Sequence, residues 1–186
     1  MLVIDNFIPV SLQERYKWWL LDNQFPWFFT PDVTFGNGAQ QRPCMSHRLY
    51  ADGNKVSALD IDYLAHLGAE QMNFTFNGIL HGKTILQFPI KESVIGTELD
   101  NLHTDVDPHE DHLVVLYYVF DADGDTIICD CVNDGYQNRD LHAKDFKVLK
   151  RVTPKQGRAV LFDGRYYHTA EQPKNGMRCV INLNVV

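Results

Sequence analysis

The chain has 186 residues, 45% of them hydrophobic and 22% charged, which is enough for one domain with a full core and too few for two ordinary domains. A net charge of −7 argues against binding a nucleic-acid backbone by counterion release. No apolar run approaches the roughly 20 residues that cross a bilayer, and the start lacks a secretory signal pattern. We therefore predict a single cytoplasmic domain over 1–186, with neither nucleic acid nor membrane as a partner. The sequence does not predict the oligomeric state.

The N-terminal part of the chain is predicted to be largely helical. After an apolar-alternating strand in LVIDNFI, residues at helical spacing predict a helix within PVSLQERYKWWLLDN. Ser11 followed by Glu14 matches a capping box, which would begin that helix. A second helix is predicted over about 57–72, again from apolar spacing. Between the two, segment 25–47 is rich in Pro, Gly and aromatic residues and predicts a loop or irregular strands.

From residue 81 onward the sequence consists of short β-like runs separated by Gly, Asp, Asn and Pro. The runs are KTILQFPI, HLVVLYYVF, DTIICDCV, FKVLKRVTP, RAVLFDG and RCVINLNVV. Many short strands at such spacing are typical of a barrel or jelly roll. The sequence thus predicts a mainly β (α+β) domain with a helical flank over 1–75 and a β-core over 76–186.

Two His-x-Asp triplets occur close together in LHTDVDPHEDH. Residues i and i+2 of a strand point the same way, so either triplet could supply two adjacent metal ligands. The second triplet, His109-Glu110-Asp111, follows Pro108 among other acidic and imidazole groups, which is typical of a solvated turn. We therefore favour the first triplet, His103-Thr104-Asp105, as the ligand pair.

A candidate third ligand, His168, lies far downstream, in a turn after the strand RAVLFDG. Arg178 follows ten residues later and opens the final strand. Two imidazoles and one carboxylate leave coordination positions of a metal open, an arrangement typical of non-heme Fe(II) oxygenases. A closed structural zinc site would not need these open positions.

The final strand, RCVINLNVV, predicts one polar and one apolar face. Alternation places Arg178, Val180, Asn182 and Asn184 on one side and Cys179, Ile181, Leu183 and Val185 on the other. A strand that lines a pocket would have this pattern, and so would a solvated edge strand. The two asparagines could contact a substrate or cosubstrate, or they could be inert residues of the wall.

Together, His103-x-Asp105, LYYVFDADGDT, TPKQGRAVLFDGRYYH and the His168 and Arg178 pair resemble the 2-oxoglutarate and Fe(II)-dependent dioxygenase superfamily. They most resemble its prolyl-4-hydroxylase-like branch. The N-terminal stretch LVIDNFIPVSLQERYKWWL is also similar to the beginning of proteins of that branch. The resemblance spans most of the chain but is loose over about 26–87. It implies a double-stranded β-helix (jelly-roll) core with N-terminal flanking helices.

The resemblance also implies roles for individual residues. His103, Asp105 and His168 would bind Fe(II) and form the catalytic centre. Arg178 would anchor the distal carboxylate of 2-oxoglutarate through two parallel charge-assisted hydrogen bonds, and the Tyr118 hydroxyl would meet the same carboxylate. Because adjacent strand residues face opposite ways, an error of one in register would exchange Tyr118 for Tyr117.

The activity that the resemblance implies is hydroxylation of a peptidyl or free amino-acid (prolyl-type) substrate, with release of succinate and CO2. Fe(II) and 2-oxoglutarate are the implied cofactors, ascorbate is left open, and the partner is a small-molecule or peptide substrate. One alternative is a non-catalytic cupin-like protein that binds a metal or small acid, because one fold hosts many functions. Another is a nucleic-acid dealkylase, disfavoured by the acidic charge and by the lack of a second Arg soon after Arg178.

Overall fold

The computed structural model describes residues 1–31, 33, 42–90, 102–106, 110–133 and 146–186. In chain order their elements are β1 (Leu2–Ile4), α1 (Val10–Leu21), β2 (Phe28–Thr30), β3 (Cys44–Ala51), β4 (Asn54–Lys55), α2 (Asp62–Met72), β5 (Ile79–Gln87), β6 (Leu113–Tyr118), β7 (Thr126–Val132), β8 (Val148–Val152), β9 (Ala159–Asp163), β10 (Tyr166–Ala170) and β11 (Arg178–Val185). Strand dominates over helix, which confirms the mainly β prediction. None of the helices in these ranges is long and apolar enough to cross a membrane.

The strands form two antiparallel sheets. The larger has the order β1-β9-β6-β11-β5-β3-β2, with β4 attached to β3, and the smaller has the order β10-β7-β8. Val114 and Val180 of the large sheet share a buried cluster with Ile128 and Val152 of the small one. The small sheet therefore packs over one face of the large sheet, as predicted for a jelly-roll core.

Both helices cover the other face of the large sheet. Tyr16 and Leu20 of α1 and Leu64 of α2 are buried in one cluster with core-facing residues of β6 and β11. A β-carbon at Gly68 of α2 would lie 2.5 Å from a methyl group of Val115, which is too close. Glycine therefore allows the helix to lie close to β6. The large sheet is thus buried on both faces, between helices and the small sheet.

Two predicted helix starts are wrong. Helix α1 begins two residues earlier than the capping box requires, with Pro9 at the N-cap and no side-chain capping bond, so Ser11 lies inside the helix. The Pro9 carbonyl accepts from the Leu12 and Gln13 N–H groups, so the helix begins there without a side-chain cap. Helix α2 begins at Asp62 rather than near 57, because the Ser57 hydroxyl accepts a hydrogen bond from the Leu59 N–H, a local turn that competes with helix.

Residues 1–75 supply strands as well as helices. Strand β1 pairs with β9, and the eight-residue β3 pairs with β5 along most of its length. Segment 25–47, predicted as a loop or irregular strands, contains β2 and the beginning of β3. The predicted flank therefore contributes directly to the sheet that carries the site.

Candidate metal and cosubstrate site

The structure brings His103, Asp105 and His168 together. His103 and His168 form an isolated β-bridge in which each backbone N–H donates to the other residue's carbonyl, both at 3.0 Å. One possible ligand atom from each of the three side chains lies within 4.8 Å of the others. Asp105 is the centre of the group, with Oδ2 3.5 Å from His168 Nε2 and Oδ1 3.9 Å from His103 Nε2.

Two asparagines of β11 orient the Asp105 carboxylate. Asn182 Nδ2 and Asn184 Nδ2 both donate to Asp105 Oδ2, at 2.9 and 3.2 Å. Burial alone would raise the pKa of Asp105, but the hydrogen bond and charge of His168, with the charges of Lys83 and His103, hold that pKa well below its usual range. The carboxylate is therefore ionised at neutral pH and fixed in direction, as a metal ligand needs to be.

Neighbouring groups also orient the His168 ring. Its Nδ1 lies 3.1 Å from the Tyr166 carbonyl oxygen, and Phe162 meets the ring edge-on with centroids 5.1 Å apart. When Nδ1 donates to that carbonyl, Nε2 keeps the lone pair that a metal requires. A register shift in β10 between Tyr166 and His168 accompanies this placement.

The three side chains line one end of a cavity of about 50 Å³ between the two sheets. Apolar side chains form much of its wall, including Ile85, Leu116 and Val180. Arg178 lines the same cavity and is 3% exposed. A candidate metal centre and a buried cation thus line the same cavity.

Only neutral acceptors hold the Arg178 guanidinium. Nε donates to the Gly124 carbonyl at 3.0 Å, Nη1 to Gln87 Oε1 at 2.7 Å and Nη2 to Thr126 Oγ1 at 2.8 Å. Burial lowers the pKa of Arg178, but an arginine starts so high that it stays charged. Among the described residues these three N–H groups have an acceptor within hydrogen-bond distance, out of the five that a guanidinium carries. Within the described ranges no carboxylate forms an ion pair with this buried charge.

Gln87 completes the polar end of the cavity. Its Oε1 accepts from Arg178, while its buried Nε2 has no hydrogen-bond partner among the residues described. Leaving a buried donor unpaired costs about 1–3 kcal/mol. The Nε2 group therefore lies beside the guanidinium, ready to donate to an anion. Near the metal ligands, the buried acceptor Asn182 Oδ1 likewise has no hydrogen-bond partner among the residues described.

Tyr118, rather than Tyr117, lies on the Arg178 side of the sheet. The Arg178 guanidinium lies 5.7 Å from the Tyr118 ring centroid, and the Tyr118 hydroxyl donates to Thr126 Oγ1 at 2.7 Å. Tyr117 faces the helices, where its ring packs edge-on against Tyr16. Burial raises the pKa of Tyr118, so its hydroxyl stays protonated. Tyr118 thus supports Arg178 through Thr126.

The second triplet does not join this group in the parts that are described. His109 lies outside the described residues, as do Asp107 and His142. Asp111 has a side chain that is 85% exposed and lies 3.6 Å from Arg165. His112 is buried against Gly164, where a β-carbon would overlap its ring. Neither Asp111 nor His112 belongs to the ligand group.

The sequence alone did not single out Lys83, Gln87 and Thr126, which line the cavity. Lys83 Nζ lies 3.9 Å from Asp105 Oδ1. Alternation along KTILQFPI would have placed Lys83, Ile85 and Gln87 on one face, but only the pairing of β5 with β11 shows that this face meets the site. Thr126 gave no comparable signal in the sequence.

No protein-family model and no curated protein matches this sequence. Among solved structures, the non-heme alpha-ketoglutarate-dependent carbocyclase SnoK from nogalamycin biosynthesis superimposes with a TM-score of 0.67 and 10% identity, covering 98% of this chain and 78% of the other. A 2OG-Fe(II) oxygenase family oxidoreductase from Burkholderia pseudomallei gives 0.65 and 12%, covering 99% and 84%. A Pseudomonas putida prolyl-4-hydroxylase gives 0.60 and 14%, covering 99% and 91%.

The fold is that of the 2-oxoglutarate and Fe(II)-dependent oxygenases, a group of structures that includes prolyl hydroxylases. The resemblance found in the sequence is confirmed at this level, as is the jelly-roll core. At identities of 10–14% these structures show a shared fold only. One fold hosts many activities, so the chemistry depends on the residues of the site.

Proposed function

We propose that this protein is an Fe(II)- and 2-oxoglutarate-dependent dioxygenase. The observation that carries the proposal is a single cavity that holds a His103, Asp105 and His168 group at one end and Arg178 at the other. A buried charge without an anionic partner is costly, so an Arg178 that faces a cavity calls for an anionic ligand.

The donor set fits Fe(II). Two imidazole nitrogens and one carboxylate oxygen match non-heme iron sites with open positions, whereas a structural zinc site uses four protein ligands. When bound, iron and cosubstrate supply the oxidising chemistry, in which 2-oxoglutarate and oxygen yield succinate and CO2 while the substrate gains one oxygen atom. The chain's own part is to bind, orient and shield the reactants.

The polar end of the cavity fits the distal carboxylate of 2-oxoglutarate. The two remaining N–H groups of Arg178 and the unpaired Gln87 Nε2 can donate to its oxygens, and a guanidinium matches a carboxylate geometrically. Thr126 accepts a hydrogen bond from Arg178 and one from the Tyr118 hydroxyl, and these bonds fix the position of the guanidinium. Apolar walls then contact the hydrocarbon part of the cosubstrate and exclude water.

We extend the proposal to a substrate of the peptidyl or free amino-acid class, with hydroxylation as the reaction. Support for this finer step is the presence of a prolyl-4-hydroxylase among the structures of this fold and the local resemblance in sequence. A cupin-like metal binder is the second candidate. It is disfavoured because a protein that only binds metal has no need of a buried Arg178 in the same cavity, with no ion-pair partner among the described residues.

The test is cosubstrate turnover. We expect purified protein loaded anaerobically with Fe(II) to form succinate from 2-oxoglutarate when oxygen is admitted, even without substrate. His103→Ala and His168→Ala should lose bound metal and at least about 100-fold of this turnover, because each removes a ligand. His66→Ala changes an exposed histidine of α2 and is the matched control. Wild-type turnover in the two ligand variants would refute the proposal, and metal binding without 2-oxoglutarate binding would favour the cupin-like alternative.

A further inference from the structure

We propose that Lys83 and Arg48 form a binding site for an anionic group of the substrate, a carboxylate or a phosphate, at the mouth of the cavity. The inference rests on the proposed function and names the chemical class of its substrate. Its starting point is the pairing of β3 with β5, in which Arg48 and Lys83 are direct cross-strand partners.

Both side chains lie on the cavity face of the large sheet. Lys83 lines the cavity together with Ile85 and Gln87, which alternate with it along β5. Cross-strand partners share a face, so Arg48 is on the same side. The next residue, Leu49, is fully buried in the helix-side core, as alternation requires.

The two cations lie directly opposite each other, and Asp105 offsets the charge of Lys83 alone. Like charges directly opposite each other in an antiparallel sheet are destabilising. Arg48 is exposed and makes no side-chain hydrogen bond or ion pair with any residue that the structure describes. A chain with a net charge of −7 has more acids than bases, yet none of the described acids compensates Arg48. An anion between the two cations would remove the repulsion.

Metal binding would free Lys83 for this role. In the described residues its one ion-pair partner is Asp105, with Nζ 3.9 Å from Oδ1. When Asp105 binds a divalent cation, its charge is neutralised and the cation repels the nearby ammonium. Lys83 is then left to hold an anion a few ångströms from the metal ligands. The site would therefore bind its anion more tightly in the metal-loaded protein.

This site is separate from the cosubstrate anchor. The Lys83 side chain is 41% exposed, whereas Arg178, taken as a whole residue, is 3% exposed. One substrate anion and one cosubstrate carboxylate would each have a cationic anchor. The arrangement favours a substrate that carries its negative charge next to the carbon to be oxidised.

Inorganic phosphate and acetate are suitable probes, with neutral acetamide as the comparison. Binding is measured by calorimetry on protein loaded with Zn(II) and saturated with 2-oxoglutarate, so that the metal and Arg178 are occupied and no turnover occurs. We expect phosphate or acetate to bind and acetamide not to bind. Lys83→Met and Arg48→Met should each weaken anion binding by roughly tenfold or more, as expected for loss of a charge-assisted hydrogen bond.

The matched control is Lys155→Met, which removes an exposed lysine beside Asp5 and should leave anion affinity unchanged. An anion bound directly to the metal or to Arg178 would bind both site variants as tightly as wild type, and this would overturn the inference. So would acetamide binding as well as acetate, or no anion binding to wild type. Phosphate against acetate decides which anion the site prefers.

A second measurement separates this inference from the proposed function. Affinity for 2-oxoglutarate should stay within about twofold of wild type in Lys83→Met and Arg48→Met, because Arg178 is intact. If wild type binds no 2-oxoglutarate while the two variants still lose anion binding, the proposed function fails and the anion site stands. If wild type binds 2-oxoglutarate and the two variants bind anions as tightly as wild type, the proposed function stands and the anion site is refuted.

Discussion

The two faces of β11 are equally buried but chemically opposite. All eight residues of the strand are buried. Ile181 and Leu183 point into the apolar core beneath the helices, whereas Arg178, Asn182 and Asn184 point towards the cavity. One strand thus belongs to the core on one side and to the candidate site on the other.

The difference shows that burial has opposite consequences for the two faces. A buried Leu or Ile side chain stabilises the fold by about 1.5–3 kcal/mol. A buried arginine or asparagine destabilises it unless its hydrogen bonds are satisfied. Arg178 has three acceptors, and both asparagines donate to Asp105. The cavity face is therefore stable only because it is organised around ionic and polar groups that a ligand completes.

Removal of the buried charge should have the largest effect on ligand binding. Arg178→Met is expected to weaken 2-oxoglutarate binding to the Zn(II)-loaded protein by roughly 100-fold, because loss of one partner of a buried charge pair costs about 2–5 kcal/mol. Calorimetry measures the affinity. Arg178→Lys keeps the charge without the paired N–H groups, so its affinity for 2-oxoglutarate should lie between those of wild type and Arg178→Met. Unchanged affinity in Arg178→Met would show that the cosubstrate binds elsewhere.

The opposite face offers the complementary experiment. Ile181→Ala should lower the free energy of unfolding by about 2–5 kcal/mol, since the side chain is fully buried and a cavity remains. Urea denaturation measures this change. Affinity for 2-oxoglutarate should stay near wild type in the folded protein. A loss of affinity like that of Arg178→Met would mean that the two faces are coupled, which contradicts the separation argued above.

The asparagines should affect the metal end. Asn182→Ala and Asn184→Ala are each expected to weaken divalent metal binding by about 10–100-fold, the usual effect of removing a group that orients a ligand. Co(II) titration followed by its visible absorption reports both affinity and ligand geometry. Asn54→Ala, in the exposed strand β4, is the control. Wild-type affinity and spectrum in both variants would make the two residues simple wall residues.

Gln87 should give the smallest effect. Gln87→Met removes the unpaired Nε2 donor and is expected to weaken 2-oxoglutarate binding by about fivefold, near 1 kcal/mol. Gln87→Glu should weaken it further, because a carboxylate would neutralise Arg178 and repel the cosubstrate. Titration of both variants checks the order. Tighter binding to Gln87→Glu than to Gln87→Met would contradict the assignment of this cavity end.

Alternation within a strand was readable from the sequence, whereas contacts between strands were not. The pattern of RCVINLNVV predicted one polar and one apolar face; the apolar face lies in the core, and the polar face lies on the cavity side. Gln87 meets Arg178 only because β5 and β11 pair in one particular register, which is a tertiary property. The same sheet places Tyr118 on the Arg178 side and Tyr117 on the helix side. At Pro9 and Ser57, local geometry overrode a correct helical pattern.

The bridge between His103 and His168 has one further consequence. Its reciprocal hydrogen bonds belong to the main chain, so the two imidazoles are held near each other by peptide groups rather than by an ion. In zinc fingers, by contrast, chelators unfold the domain. Here a chelator should empty the centre and leave the scaffold intact, so that the emptied protein can be reloaded with a different divalent ion without passing through denaturation.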